Sequence, residues 1–334
     1  MKILITGGTG FLGRHVVWRL AVLGHTVCFT GRNAAAARQV LALSNGDVSF
    51  VSLEHGVADA AAVLNRAAGQ ADALVHCAAL SAPWGDKQAF YRANVVSTEE
   101  VLAVCTAQQT PRLVHVSTPS LYFEFRDRLA ICEDAPLPPP VNEYARTKLV
   151  AEQRVADSPV DAIILRPRGI FGPWDQTLLP RLLRVMQNGR IPLFNQGRAL
   201  LDLTYVDNVV DAICLALAMR QPEVRTFNIS NGQPLAAGRL FEQLATAFAL
   251  PYRPVRVPFR VGVSLAHLLE IAARLAPGWE PPLTRYTVGA IAFSQTLDLS
   301  QAQQHLGYTP GVSVAEGIMR TADWFANHQE LASC

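Results

Sequence analysis

The chain has 334 residues, half of them hydrophobic and 17% charged, which supplies a sizeable core and excludes a disordered chain. Twenty-nine basic against 27 acidic residues leave a net charge of +2, so no strong field for nucleic acid or anionic membrane exists, and no nucleic-acid partner is expected. At about 150 residues per domain the length suggests roughly two domains.

Six cysteines, at positions 28, 77, 105, 132, 214 and 334, form no Cys-x-x-Cys pair and mostly sit in apolar runs. They read as buried thiols in a reducing compartment. The histidines lack metal-ligand spacing, so no metal is expected. The apolar start, Met1–Thr6, is too short for a signal peptide, and no uncharged apolar run reaches the ~18 residues of a membrane span. The expectation is a soluble, cytoplasmic protein without a transmembrane segment.

In chain order, Ile3–Thr6, Thr26–Thr30, Val48–Ser52, Ala73–Cys77, Leu113–Ser117 and Ala162–Leu165 read as strands. They are near-continuous apolar runs, as in strands buried on both faces. Helical stretches lie between them, among them Leu12–Leu23 closed by Gly24, and a longer one from Lys87 to Ala107. Strand and helix in alternation predict a parallel sheet with right-handed crossovers. Prolines at 136–140 mark a loop before a helix starting near Asn142. Beyond Gly169 the pattern loosens. Asp175–Asn188 and Val206–Met219 look helical, Pro251–Pro258 reads as an extended linker, and Phe259–Leu275 and Val312–Asn327 as helices. Phe259–Leu275 is apolar around most of its circumference and suits a pocket roof, core packing or a membrane-docking face.

The first strand runs into Thr6-Gly7-Gly8-Thr9-Gly10-Phe11-Leu12-Gly13, and a helix follows at once. Gly7 permits the tight turn, Gly10 lets backbone approach a pyrophosphate, and Gly13 lets helix pack on strand. Thr9 completes the loop, Phe11 and Leu12 contribute backbone, and the helix N-terminus offers free N–H groups to the anion. This predicts a dinucleotide site. The second strand ends Phe29-Thr30-Gly31-Arg32-Asn33, with no carboxylate for the ribose 2′-hydroxyl of NAD. Arg32 matches a 2′-phosphate instead, so NADP(H) is favoured and NAD(H) is the alternative.

Tyr144 and Lys148 stand four apart, on one face of a predicted helix. Only three of the 29 basic residues are lysine, so roughly 0.06 such pairs are expected by chance. A phenol is a poor proton donor or acceptor at neutral pH unless its pKa is lowered, which is expected of a neighbouring ammonium, Lys148, together with the charge of an oxidised nicotinamide. A third member is expected at the carboxyl end of the fifth strand, where Ser117, Thr118 and Ser120 compete. The tip Arg126-Asp127-Arg128 reads as a solvated loop.

Together these residues resemble the extended short-chain dehydrogenase/reductase family over nearly the whole chain. The likeness also includes His76-Cys77-Ala78-Ala79, Asn94-Val95 and Leu165 to Pro173. It implies an α/β fold: a Rossmann-type doubly wound parallel sheet over 1–170, then a smaller mixed α/β substrate-binding region over 171–334. Some elements of that region are expected to return to the first sheet. The resemblance selects Thr118 as the catalytic hydroxyl, four residues before a motif position matched by Tyr122. It places Ala78 and Ala79 along the cofactor, and Pro167, Gly169 and Ile170 along the nicotinamide. It puts Leu53, with Ser52, where many members carry an adenine-binding aspartate. Tyr144 and Lys148 also contact the cofactor on this reading, Lys148 through the nicotinamide ribose.

Leu201 stands where nucleotide-sugar members usually carry arginine. The stretch Asp202–Asn208 and the tail from Pro282 to Gly317 are similar to the 3β-hydroxysteroid dehydrogenase and 2-alkyl-3-oxoalkanoate reductase branch. That implies an NADP(H)-dependent oxidoreductase interconverting an apolar ketone and its secondary alcohol. A nucleotide-sugar epimerase or dehydratase, and a non-catalytic dinucleotide sensor, are the alternatives. The resemblance also implies a homodimer through long helices of the first domain.

Overall fold

The computed structural model describes residues 1–186, 189–220, 222–276 and 278–328. The first five strands are β1 (Lys2–Thr6), β2 (Thr26–Gly31), β3 (Val48–Ser52), β4 (Ala73–His76) and β5 (Leu113–Val116). Then come β6 (Arg128–Ile131), β7 (Ala162–Pro167), β8 (Ile170–Phe171), β9 (Arg190–Leu193), β10 (Leu200–Leu201), β11 (Thr204–Tyr205), β12 (Thr226–Ile229), β13 (Leu235–Ala236), β14 (Arg253–Arg256) and β15 (Gln295–Leu297). The helices are α1 (Phe11–Val22), α2 (Ala34–Ala42), α3 (Ala60–Ala68), α4 (Lys87–Tyr91), α5 (Ser97–Gln108) and α6 (Glu143–Ala156). They continue with α7 (Leu179–Met186), α8 (Val206–Ala218), α9 (Ala237–Ala247), α10 (Phe259–Leu275), α11 (Arg285–Ala292) and α12 (Val314–Asn327).

Seven strands form one parallel sheet in the order β12-β7-β5-β4-β1-β2-β3. Successive side chains alternate between its two faces. Ile3, Ile5, Val27 and Phe29 enter one core, with residues of α1 and α8. Leu4, Cys28, Leu74 and Ile164 enter the other, with residues of α3 and α5. The strand order reverses between β1 and β4, and the carboxyl ends of such strands frame a crevice suited to a ligand.

β12 joins this sheet beside β7 although it lies beyond residue 170. β6, by contrast, leaves the first half of the chain to pair with β15 in a four-stranded sheet, β13-β10-β15-β6. Arg126-Asp127-Arg128 is therefore more than a solvated tip. Asp127 accepts from the Ser294 amide at 2.6 Å and Arg128 donates to the Tyr122 carbonyl at 2.9 Å.

Four other expectations are corrected. The Lys87–Ala107 helix is broken by a wide π turn over Arg92–Val96 and ends at Gln108. Asp175 does not open a helix. Its carboxylate accepts from the amides of Thr177, Leu178 and Leu179, so α7 starts at Leu179, and the expected end at Asn188 lies outside the described residues. The Pro251–Pro258 linker contains β14, paired in parallel with β9. Pro254 is tolerated because a two-stranded sheet is all edge. Cys132 is exposed rather than buried, and Cys334 lies outside the described residues.

α10 matches its expected span. Only Gly262, Ala266, Glu270 and Ala273 are buried, while Val261, Leu265, Leu268 and Ile271 are exposed. No helix among the described residues is long and apolar enough to cross a membrane.

Candidate active site

The glycine loop joins β1 to α1 at the crevice. Gly7 takes a left-handed φ of +70°, and a Cβ there would lie 2.7 Å from the Ala78 amide nitrogen. A Cβ on Gly13 would come 2.2 Å from the Gly7 carbonyl oxygen. At Gly10 an added Cβ would meet only that same oxygen, at 3.1 Å. The outer side of Gly10 is thus open to an incoming group. No side chain caps α1 and its first turn holds no acid, so the N–H groups around Phe11 and Leu12 remain available to an anion. Beneath the loop, buried Arg14 donates to the Thr9 carbonyl at 2.8 Å, and its Nη1 has no partner among the described residues. Open glycine backbone, an uncapped helix start and a buried cation fit a dinucleotide pyrophosphate.

Arg32 follows β2, exposed and without a carboxylate partner among the described residues. Thr9 packs against Gly31, where a Cβ would come 2.3 Å from its hydroxyl. Leu53 is 4% exposed and its side chain packs in the core, which leaves only its backbone at the crevice. Ala78 is partly buried and Ala79 exposed, just past β4. Asn94 holds this turn in place. From the π segment it accepts from the Leu80 amide at 2.7 Å and donates to Thr147 of α6 at 2.9 Å. The wide turn thus ties the alanine loop to the helix bearing Tyr144.

Asn142 caps α6 through the Ala145 amide, at 2.8 Å, which puts Tyr144 in the first turn and Lys148 one turn later. Tyr144 is partly buried and faces Thr118 and Ser81. Burial raises its pKa, and those two hydroxyls pull against the rise. The expected lowering by Lys148 is not seen. The ammonium is engaged elsewhere: it donates to the Val116 carbonyl at 2.7 Å and lies 3.4 Å from His115 Nε2. Lys148 is 2% exposed, and burial lowers its pKa to about 8 against the pull of Glu152 and Cys77. His115 is buried, and desolvation followed by the Lys148 charge keeps it neutral well below its usual range.

Thr118 lies two residues past β5 in extended backbone and caps a short 3₁₀ turn over Pro119–Tyr122. Its hydroxyl donates to Ser120 Oγ at 3.1 Å. Ser120 Oγ in turn lies 2.9 Å from the phenol of Tyr286 on α11. Pro167 is buried at the end of β7, and Gly169 and Ile170 follow it into β8. Gly169 has φ +52°, and a Cβ there would strike Leu203 at 2.8 Å.

Tyr144, Lys148, Thr118, Ala78, Ala79 and Pro167 to Ile170 thus surround the carboxyl ends of β4, β5 and β7, with the glycine loop at β1. Sequence reasoning missed Tyr286 and Ser81. Tyr286 arrives from a helix 142 residues after Tyr144, and no local pattern marks it. Phe123 stacks edge-on against both Phe125 and Tyr286, forming an aromatic wall beside the serine.

Residues 3–230 match the model of the NAD dependent epimerase/dehydratase family. An uncharacterized protein of Escherichia coli (strain K12), YbjS, is 36% identical, covering 99% of each chain. The 2-alkyl-3-oxoalkanoate reductase of Stenotrophomonas maltophilia (strain K279a) is 34% identical, covering 96% of this chain and 98% of its own. A solved UDP-glucuronic acid 4-epimerase from Bacillus cereus in complex with NAD superposes with a TM-score of 0.75 over 98% of each chain, at 22% identity.

Proposed function

The chain belongs to the NAD dependent epimerase/dehydratase family and is an oxidoreductase, and from that premise we propose that it reduces an apolar ketone to a secondary alcohol with NADPH. The observation that carries this reading is the convergence of Tyr144, Thr118 and Lys148 beside an aromatic wall at the carboxyl edge of the sheet.

The glycine loop and Arg32 would hold the dinucleotide, Arg32 through a 2′-phosphate. When bound, the dinucleotide supplies a hydride. Tyr144 donates its phenolic proton to the carbonyl oxygen as that oxygen gains charge. Thr118 donates a hydrogen bond to the same oxygen and fixes its position. Lys148, braced on Val116, presents its ammonium to the ribose and to the phenolate left behind. Phe123, Phe125 and Tyr286 receive the apolar body of the substrate, a 3-oxo acid or a 3-oxosteroid-like ketone. The buried Leu201, 6% exposed, offers no cation for a sugar nucleotide.

Absorbance-monitored NADPH oxidation with 2-alkyl-3-oxo acids, 3-oxosteroids and aryl ketones tests this. Turnover with an apolar ketone, lost about 10²- to 10⁴-fold in Tyr144→Phe with NADPH binding retained, is the expected result. Silence across the panel despite tight NADPH binding, or near-normal turnover in Tyr144→Phe, overturns it.

A further inference from the structure

Among the described residues four arginines are buried at 9% exposure or less: Arg14, Arg112, Arg166 and Arg168. The first three have hydrogen-bond partners. Arg14 donates to the carbonyls of Thr9 and Gly10, and Arg112 to Asp161 and the Ala216 carbonyl. Arg166 donates to Glu152, Tyr122 and the Glu133 carbonyl. Arg168 is the exception. Its guanidinium makes no hydrogen bond and no ion pair among the described residues, and its Nε is sealed from solvent without a partner.

A buried charge without a partner is strongly disfavoured, so native structures leave one only where something else completes it. Two groups lie in electrostatic range of Arg168: Tyr286 and Asp202. Asp202 does not close on it. One carboxylate oxygen accepts from the Leu297 amide at 3.1 Å, and the other has no partner. Tyr286 connects Arg168 to the reaction centre, because its phenol reaches Ser120, which bonds Thr118. The backbone of Arg168 is fixed: its amide donates to the Ile229 carbonyl at 2.9 Å, and its carbonyl accepts from Thr204 Oγ1 at 2.6 Å. A guanidinium on a fixed backbone, without a hydrogen-bond partner among the described residues, thus stands two side chains, Tyr286 and Ser120, from the carbonyl-holding hydroxyl.

We infer that Arg168 is a carboxylate anchor: it pairs with the acid group of a substrate whose reacting ketone sits at Thr118 and Tyr144, which selects 3-oxo carboxylic acids over neutral ketones. A guanidinium meets a carboxylate in a two-point, planar contact. In a 3-oxo acid the two groups are separated by one carbon, so one molecule carries both the reacting ketone and the anion. The inference rests on the proposed ketone reduction and narrows its substrate class.

The experiment uses a 2-alkyl-3-oxo acid, its methyl ester, a saturated fatty acid and UDP-glucose, with wild type, Arg168→Met and Arg168→Lys. Wild type is expected to favour acid over ester at least 30-fold in kcat/KM. Arg168→Met should lose that preference, its kcat/KM for the acid falling at least tenfold further than that for the ester. Without ligand it should melt higher than wild type, because an unpaired buried charge is gone, whereas loss of a purely structural cation would lower the melting point. Arg168→Lys should regain part of the preference. The fatty acid, which carries no ketone, should bind wild type in calorimetry and not Arg168→Met.

Equal use of acid and ester by wild type overturns the anchor and leaves ketone reduction standing. Arg168-dependent binding of the fatty acid with no reduction of either ketone supports the anchor and overturns the reductase reading. Failure of both binding and reduction removes both. Displacement of the fatty acid by UDP-glucose assigns the anion to a diphosphate and overturns the carboxylate proposal.

Discussion

Lys148 donates its ammonium hydrogen to the carbonyl oxygen of Val116 at 2.7 Å, across the gap between α6 and the end of β5. This contact fixes a buried cation one helical turn after Tyr144. Burial lowers its pKa from 10.5 to about 8. Between those values the unfolded chain binds the proton more readily than the folded one, so folding stability rises with pH across that window. The cost of the buried charge is full below about pH 8 and is lifted by about pH 10.5.

Lys148→Met should therefore stabilise the protein near neutral pH while ending turnover. A shift of this size corresponds to about 3 kcal/mol. Urea unfolding at pH 7 and pH 10 measures it: the gain should be clear at pH 7 and shrink by pH 10. A variant less stable than wild type at pH 7, or a gain independent of pH, would show that the ammonium is not the strained group.

Arg32→Ser should raise KM for NADPH roughly 10- to 100-fold, the worth of one charge-assisted contact, and leave KM for NADH unchanged. Arg32 is exposed and has no carboxylate partner among the described residues, so its loss should leave the melting temperature within about a degree of wild type. Equal losses with both cofactors would place its role elsewhere than a 2′-phosphate.

Much of this site is legible in the sequence because it is built from local signals. The glycine spacing, the four-residue step from Tyr144 to Lys148 and the apolar strands each need only a short window to be read. The expectations that failed depend on contacts distant in sequence. The hold of Lys148 on the Val116 carbonyl joins α6 to β5, and no local pattern marks it. Arg128 belongs to β6 only because β15, some 165 residues later, pairs with it. Asp175 reads as helical until its carboxylate takes three amides of the following turn. Tyr286 and the unpaired state of Arg168 exist only once α11 has packed over Ser120, and no periodicity encodes that.

Gly13→Ala tests the loop as a dinucleotide cradle. Its Cβ would sit 2.2 Å from the Gly7 carbonyl oxygen, a backbone atom that cannot swing away. The loop must shift, and NADPH affinity should fall at least tenfold by fluorescence titration. Gly24→Ala is the control. It has a positive φ, +80°, which Gly13 has not, and its Cβ would meet nothing within 4 Å. It should cost about 1 kcal/mol of stability and leave NADPH affinity intact. Equal affinity in Gly13→Ala and wild type would remove the loop from the binding site.

Glu152→Gln probes the ion pair beneath the site. Glu152 accepts from Ser117, at the end of β5, and from Arg166 of β7, and both charged side chains are under 10% exposed. Arg166 also reaches the Tyr122 phenol and the Glu133 carbonyl, so this one carboxylate anchors α6 to two strands and to the turn after Thr118. Removing its charge leaves the guanidinium buried and uncompensated, which should cost about 3–5 kcal/mol. The paired substitution Glu152→Leu with Arg166→Met removes both charges and should recover most of that loss, because the desolvation penalty disappears with them. Chemical denaturation of the single and double variants separates these outcomes. If Glu152→Gln cost less than about 1 kcal/mol, the pair would not be what holds α6 against β5, and the placement of Tyr144 would rest on Asn142, Asn94 and the Lys148–Val116 contact.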